Sequence, residues 1–212
     1  MLFNRLGFYR CAYPFDYMYS SPLLVLDCLQ NNFSTLLDRR FHTDRGNMAG
    51  HSEYDGEVRA FHGWQHTQQI FYHKNTKKND LDYSYMQRCV CRFRGLLQND
   101  GRKLFLLMLL NQTKPLDKKP MRNLLDQLAG DTSNTSELLL VFHQTGSQFG
   151  MTTESENNLT FLLVVSTSRC NGSRLGDLEE ERALGEKIDS LYDYNIDPAD
   201  VGNCTCQPPC DY

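Results

Sequence analysis

Asp16 stands in the segment Pro14-Phe15-Asp16-Tyr17, just before the start of a predicted helix. A carboxylate flanked by proline, phenylalanine and tyrosine is expected to be partly buried, and a buried carboxylate needs a hydrogen-bonding partner. Two kinds of hydrogen-bonding partner are possible for the Asp16 carboxylate. One is a nearby backbone N–H group, in which case Asp16 caps a local turn. The other is a histidine that the carboxylate orients for nucleophilic catalysis.

Two histidine patterns further along the chain suggest a second kind of chemistry. His143 follows an apolar run, so it is predicted at the carboxyl end of a buried strand, where it would serve catalysis or simply cap the strand. The segment His62-Gly-Trp-Gln-His66 places two imidazoles four residues apart but lacks the glutamate of the zinc motif H-E-x-x-H. We interpret His62 and His66 as surface or loop residues.

Eight cysteines form the third candidate group, and Cys204, Cys206 and Cys210 lie together near the carboxyl terminus. A structural zinc site usually takes four ligands in two separated pairs, and the chain has no C-x-x-C pair. These three cysteines are predicted to be incidental thiols of an irregular tail, with disulfides and metal binding as alternatives. Gly146–Gly150 lacks the Lys-Ser/Thr of a phosphate-binding loop. No metal and no cofactor is predicted.

Composition narrows the classes of partner. Hydrophobic residues make up 40% of the chain and charged residues 23%, which is typical of a globular domain. The net charge of −4 and a pI near 5.8 argue against a nucleic-acid partner. The longest apolar run, Leu104–Leu110, is far shorter than the roughly 20 residues of a membrane-spanning helix, so no membrane partner is predicted. An unknown protein or peptide remains as the expected partner.

The segment Met1–Arg10 lacks the apolar core of a signal peptide, which predicts a cytoplasmic protein, or a secretory one if a signal lies upstream. Against the cytoplasmic prediction stands an excess of N-x-[ST] glycosylation sequons. By chance, 15 asparagines and 26 serines and threonines predict roughly two sequons. Six are present, starting at Asn32, Asn111, Asn134, Asn158, Asn171 and Asn203.

Helix signals dominate the first hundred residues. Ser21-Pro22 is typical of a helix start and predicts a helix over Pro22–Gln30, with a second over Ser34–Arg40. Residues 43–56 are predicted to form a loop, because three glycines and polar turn formers fill them. Glu57–Phe61 and Gln69–Tyr72 are short strand candidates.

A third helix is predicted over Ser84–Gln98, where apolar residues recur with helical spacing. Arg88 and Arg92 lie four apart on the opposite face. That pair is interpreted as a solvated basic face, with docking of an acidic partner segment or anion as the alternative.

Three continuously apolar runs predict strands buried on both faces: Leu104–Leu110, Leu138–Phe142 and Leu159–Val165. Two more helices are predicted, one opening at Pro120 and one carrying Leu184, Ile188 and Leu191 on one face.

This pattern predicts an α/β fold: a single domain over residues 1–197 with a mostly parallel sheet flanked by helices in three layers, then an irregular tail over 198–212. Sites tend to form at the carboxyl ends of such strands. Those ends are 111–116, 143–150 and 166–172.

Several ordered blocks resemble one family. The first block is Leu6-Gly7-Phe-Tyr-Arg-Cys-Ala12-Tyr-Pro14-Phe15-Asp16-Tyr17, followed by Ser20-Ser21. It is similar to the segment L-R-x-L-G-L-R-x-x-A-x-P-F-D-W of a family of unknown function classed as papain-like cysteine peptidases. Further matches occur in the same order, at Phe71-Tyr-His73, Arg88, Arg92-Phe93, Leu96-Leu97 and Lys103-Leu-Phe105. The resemblance spans roughly residues 5–110 and continues more loosely to 165.

The resemblance implies a thiol hydrolase with His73 as the base and Asp16 as the acid that orients it. Family members open with a strand and a Ser-Leu-Gly-x-x-Cys segment whose cysteine is the nucleophile. The present chain begins after that point, Cys11 does not match it, and Tyr17 replaces the usual tryptophan. Without a thiolate beside the histidine, cysteine-based catalysis is expected to be near background.

The sequence leaves three hypotheses for function. The first is a divergent member of this peptidase family, inactive unless the nucleophile is supplied upstream. The second is a non-catalytic α/β interaction domain that binds its partner through strand-end loops. The third, which the missing phosphate loop disfavours, is a transferase acting on glycans or nucleotide sugars.

Overall fold

The computed structural model describes residues 12–62, 70–98, 102–110, 118–129, 136–170 and 175–192, without the side chains of Tyr17 and His62. The chain forms two compact units. The helical unit contains residues from 12 to 102 and from 118 to 136, and the sheet unit contains residues from 103 to 110 and from 137 to 192.

The helical unit begins with a short 3-10 helix, Pro14–Tyr17, and contains five α-helices and one hairpin among its described residues. Their bounds are α1 (Pro22–Gln30), α2 (Ser34–Leu37), β1 (His42–Arg45), β2 (Met48–His51), α3 (Asp55–His62), α4 (Asp80–Gln98) and α5 (Lys118–Ala129). Helix α1 packs against α5, and α4 packs against the 3-10 helix.

Helix α1 begins where the sequence predicts. The hydroxyl of Ser21 accepts the Leu24 N–H at 3.1 Å, and Pro22 fills the first helical position. The backbone N–H groups of the first helical turn lack partners within the helix. Ser21 accepts one of them, and Pro22 has no N–H group that would need a partner. The Ser21 hydroxyl also donates to the carboxylate of Glu57, which ties the start of α1 to α3.

Aromatic packing fixes the Pro-Phe-Asp segment. Phe93 of α4 is buried, and the rings of Tyr13, Phe15 and Phe33 surround it with centroid separations of 5.6–5.9 Å. Edge-to-face contacts at these separations are favourable beyond the burial of apolar area. Phe15 therefore has a structural task, which is to anchor the 3-10 helix on α4.

Over its described residues, the sheet unit contains four strands and one helix. Their bounds are β3 (Lys103–Leu109), β4 (Ser136–Thr145), β5 (Gly150–Glu156), β6 (Leu159–Ser166) and α6 (Leu178–Leu191). The strand order is β3-β4-β6-β5, with β4 and β6 parallel and β5 antiparallel at one edge. The predicted α/β class, with a mostly parallel sheet flanked by helices, is confirmed. No helix within the described ranges is long and apolar enough to cross a membrane.

The core of the sheet unit lies between one sheet face and α6. Its buried side chains come from the central strands, the segment after β6, and the helix: Leu139, Val141, Leu162, Val164, Cys170, Leu175, Leu184 and Ile188. Alternation along a strand sends the next residues to the other face. Leu138, Leu140 and Phe161 on that face are buried too, which explains the continuously apolar strand sequences.

Two predictions for the helical unit are wrong. Glu57–Phe61 is not a strand but part of helix α3, in which buried Val58 packs one turn after Tyr54 and acidic residues occupy the first turn. Residues 43–56 are not one loop: they contain most of the β1–β2 hairpin, which turns at Gly46 with φ +77. Helix α2 is also shorter than predicted, because it ends at Leu37.

In the sheet unit, strand β5 was not predicted, and several other predictions fall outside the described residues. Strand β5 occupies Gly150–Glu156, where exposed polar residues gave no apolar signal. Within the candidate strand Gln69–Tyr72, Phe71 forms isolated β-bridges to Met18 and Ala49. Residues 111–116, His66 and the tail 198–212 with its cysteines lie outside the described ranges.

Candidate functional site

His73 lies on an open groove of about 310 Å³ that is lined by Tyr72, His73, Lys74 and Tyr85. The segment before it is held by backbone hydrogen bonds: Phe71 N–H donates to Ala49 O at 3.0 Å, and Tyr19 N–H donates to Ile70 O at 2.8 Å. This anchoring fixes the position from which the groove residues project.

The backbone of His73 adopts a left-handed conformation with φ +57. Residues other than glycine rarely adopt it, and such residues persist where the surrounding structure holds them. The conformation directs the chain through a turn at which Tyr72 and His73 are both exposed, with ring centroids 3.8 Å apart. A phenol ring and an imidazole ring are thus presented side by side to solvent.

Positive charge lies in and beside the groove. The Lys74 Nζ atom lies 4.5 Å from the centre of the Tyr85 ring and 3.4 Å from an oxygen of Asp82. The guanidinium of exposed Arg88 lies 6.0 Å from the same ring. Cations over a tyrosine ring are attracted by its negative face, so the Tyr85 ring helps to hold both cations in place.

Asp16 serves as a local cap. Its carboxylate accepts the Tyr13 N–H at 2.8 Å. The residue as a whole is exposed, but burial against neighbouring atoms raises the pKa of its carboxyl, while the Tyr13 N–H and the positive charge of Arg92 oppose that rise. Over residues 12–62 and 70–98, no hydrogen bond or ion pair joins Asp16 to His73. The structure supports the turn-capping interpretation for Asp16 and leaves the histidine without this orienting acid.

Arg88 and Arg92 have different surroundings. Arg88 is exposed beside the groove, whereas Arg92 is half-buried and donates two hydrogen bonds to the Ala12 carbonyl at 2.6 and 3.1 Å. Arg92 also contacts the Cys89 sulfur at 3.1 Å. Only Arg88 is therefore placed to meet a dissolved partner.

His143 is enclosed at the end of β4. Its side chain is fully buried, and burial lowers the pKa of the imidazole, with the charge of Glu180 opposing. Glu180 itself accepts hydrogen bonds from the backbone N–H and the hydroxyl of Thr167, at 3.1 and 2.6 Å. This polar group joins the end of β6 to α6. Because His143 has no solvent access, it is placed as an internal strand cap rather than as a ligand contact.

A buried histidine pair in the β1–β2 hairpin was not found by sequence reasoning. His42 and His51 are register partners whose ring centroids lie 5.5 Å apart. The Nε2 atoms donate to backbone carbonyls, from His42 to Leu36 at 2.9 Å and from His51 to Thr35 at 3.1 Å. Burial lowers the pKa of both, to about 4 for His51. Both imidazoles are neutral at pH 7 and join the hairpin to α2.

Acidic side chains do not assemble a metal site in the part of the chain that is described, where no three histidine, cysteine, aspartate or glutamate residues group suitably. Asp80 and Asp82 lie in the first turn of α4. Asp80 pairs with Arg39 at 2.7 Å, and Asp82 pairs with Lys74 and accepts the Asn75 N–H at 2.9 Å. These carboxylates fasten the helix start to its neighbours.

The described cysteines offer no reactive thiolate. Cys91 is disulfide-bonded, while Cys28, Cys89 and Cys170 are free and buried. Burial raises the pKa of Cys89 and raises that of Cys28 to about 12. A buried thiol with a raised pKa is inert, because the thiolate is the nucleophile. Three of these four cysteines are thus buried thiols outside any disulfide.

We expect a thiol reagent such as 5,5′-dithiobis(2-nitrobenzoate) to leave Cys28 and Cys89 unmodified in the native protein at pH 7. A pKa near 12 lowers the thiolate fraction of Cys28 by a factor of roughly 10³ relative to an ordinary cysteine. Peptide mass spectrometry after labelling would identify the modified residues. The same protein in guanidinium chloride is the control, in which both must react. Rapid stoichiometric labelling of either in the native state would contradict this assignment.

No protein-family model matches the chain, and neither the curated proteins nor the solved structures contain a significant match. The groove lined by Tyr72, His73, Lys74 and Tyr85 is the site that the geometry favours, because it combines solvent access, aromatic surface and positive charge.

Proposed function

We propose that this chain is a binding domain that holds an acidic peptide segment in the groove lined by Tyr72, His73, Lys74 and Tyr85. The observation that carries the proposal is an open groove that presents two exposed rings, Tyr72 and His73, next to a tyrosine ring, that of Tyr85, which contacts two cations. The Tyr72 side chain is 41% exposed, which is high for a large aromatic residue. Exposed tyrosine is a frequent contact residue at binding surfaces, since it offers apolar area and a hydroxyl.

Charge selects an acidic ligand for this groove. The protein carries a net charge of −4, yet Lys74 and Arg88 both contact the ring of Tyr85, which lines the groove. Asp82 balances Lys74 at 3.4 Å, which leaves the charge of Arg88 available to an incoming carboxylate. Such local positive charge steers an acidic segment to the groove and fixes its orientation there. The rings of Tyr72 and His73 supply the apolar contact area.

Thiol hydrolysis at the same groove is the second candidate. It is supported by the family resemblance and by the exposed, left-handed His73, because strained residues concentrate at functional sites. In this candidate His73 acts as the base for a thiolate from outside the described residues, since Cys28, Cys89 and Cys170 are buried. Asp16 caps the Tyr13 turn, so another group would have to orient the imidazole.

We expect a fluorescein-labelled peptide of alternating glutamate and tyrosine to bind the full chain more tightly than its glutamine–tyrosine counterpart in a fluorescence anisotropy assay. Arg88→Met removes one charged hydrogen-bond donor and should weaken binding of the glutamate peptide about tenfold, equivalent to ~1.4 kcal/mol. Arg59→Met is the matched control, because Arg59 is an exposed arginine on a different helix, α3, which lines no part of the groove.

Equal affinity for the two peptides, or equal losses in the two arginine variants, would contradict the proposal. Mass spectrometry of the incubated peptide separates the two candidates. Intact peptide supports binding alone, whereas cleavage that His73→Ala abolishes, without loss of binding, supports hydrolysis.

A further inference from the structure

A two-residue turn connects β5 to β6. Asn157 and Asn158 adopt left-handed backbone conformations with φ +45 and +63. Asparagine is one of the few residues that tolerate this conformation, and tight hairpin turns of this type favour it. The preference explains why asparagine stands at both turn positions, but it does not explain the threonine at position 160.

Thr160 stands two positions after Asn158, and its hydroxyl completes the sequon Asn158-Leu159-Thr160. Leu159 is buried, while Asn158 is exposed at the tip of the turn. The Thr160 hydroxyl lies 3.0 Å from that of Ser155 across the hairpin, on the exposed side. A group attached at the tip would therefore project into solvent without displacing a buried side chain.

The Asn158 side chain makes no hydrogen bond to any residue that the structure describes; its backbone carbonyl accepts the Leu138 N–H at 2.9 Å. Asn32, the other sequon asparagine within the described ranges, differs. Its side-chain oxygen accepts the Arg94 Nε at 2.9 Å, and its carbonyl accepts a second bond from Arg94. The Asn32 side chain is therefore held against Arg94, whereas no such bond from a described residue holds the Asn158 side chain.

Two further observations point to the compartment in which such a modification occurs. The chain carries six sequons where composition predicts roughly two. Cys91 is disulfide-bonded, and structural disulfides persist in oxidising compartments such as the lumen of the secretory pathway. Both features are those of a protein that enters this pathway.

We propose that Asn158 carries an N-linked glycan. The Asn158 amide nitrogen forms a bond to the anomeric carbon of a lipid-linked oligosaccharide donor. The bond from that carbon to the lipid diphosphate breaks, the diphosphate leaves with the bonding electron pair, and the amide gives up one proton. The turn presents the acceptor nitrogen and the Thr160 hydroxyl together at the surface. This inference is independent of the proposed function, because the groove lies in the helical unit.

The test uses the native full-length protein, purified from the cells that produce it. Peptide-N-glycosidase F in heavy-oxygen water converts a glycosylated asparagine to aspartate that carries one heavy oxygen. We expect the peptide containing residue 158 to show this conversion and to be absent in its unglycosylated form before the enzyme is added. Recovery of that peptide with unmodified Asn158 from untreated native protein would overturn the proposal.

Variants expressed in the same cells add a sequence-specific control. Asn158→Gln and Thr160→Ala should each remove one glycan, seen as the same increase in gel mobility. Asn157→Gln changes the neighbouring turn residue, and Thr160→Ser keeps the sequon, so both should migrate like the parent protein. A glycan that survives Thr160→Ala at this turn would contradict the assignment. The measurement on the native protein remains decisive if a variant fails to fold.

Discussion

Replacing Leu162 with alanine is expected to lower the free energy of unfolding by about 3–5 kcal/mol. Leu162 lies in β6, between β4 and β5, and its side chain is fully buried in the cluster that joins the sheet to α6. Truncation removes buried apolar area and leaves a cavity, because a strand paired on both sides cannot move in to fill it. The loss is comparable with the whole stability of a small domain.

Guanidinium chloride denaturation of the two proteins measures this difference. Leu178→Ala is the matched control: it is the same substitution in the same unit, at a side chain that is 64% exposed at the start of α6. Surface substitutions of this kind change stability by less than about 0.5 kcal/mol. Similar losses in the two variants would show that the sheet and α6 do not pack as described.

The second large effect is a dependence of stability on pH that arises in the histidine pair. Burial lowers the pKa of His51 to about 4, whereas an unfolded histidine titrates near its ordinary value of about 6.5. At a pH between these two pKa values, the unfolded chain binds a proton at His51 and the folded protein does not. Stability therefore falls as the pH falls from about 6.5 to 4, by about 3 kcal/mol for His51 alone. His42 contributes in the same direction, because burial lowers its pKa as well.

Denaturation midpoints measured between pH 7 and pH 4 test this dependence. His51→Gln keeps a side-chain donor for the Thr35 carbonyl but cannot titrate, so its stability should change less over the same range. Parallel curves for the two proteins would show that His51 is not the group responsible.

The sheet unit could be predicted from the sequence because its strands carry one strong signal. Runs such as Leu159–Val165 are apolar at almost every position, and a strand covered on both faces requires that pattern. Strand β5 lacks the signal because it is an edge strand with exposed Thr153 and Glu154. Its existence follows from pairing with β6 across a two-residue turn, and the exposed polar residues of β5 do not indicate that pairing.

The helical unit was harder to predict because its polar residues are used internally. Strand β1 reads His-Thr-Asp-Arg, which resembles a loop, yet His42 is buried where its ring packs against His51 and Phe71. Burial of a neutral imidazole depends on a carbonyl partner that comes from α2, six residues earlier in the chain. Tertiary context of this kind overrides local propensity.

The candidate site was predicted only in part. The resemblance directed attention to His73, which does lie on the groove, and to Asp16, which instead caps its own turn. The groove itself could not be predicted, because it forms where the turn containing Tyr72 meets Tyr85 of α4. No residue spacing in the sequence indicates that this turn and α4 come into contact.

The most direct test of the binding proposal is a titration followed through the histidine ring signals in 1H–13C NMR spectra, with His73 assigned from the spectrum of His73→Gln. Addition of the glutamate–tyrosine peptide should shift the His73 signal to saturation at the concentration that anisotropy gives, and should leave buried His42, His51 and His143 unchanged. An unmoved His73 signal at saturating peptide would contradict the claim that this groove is the binding site.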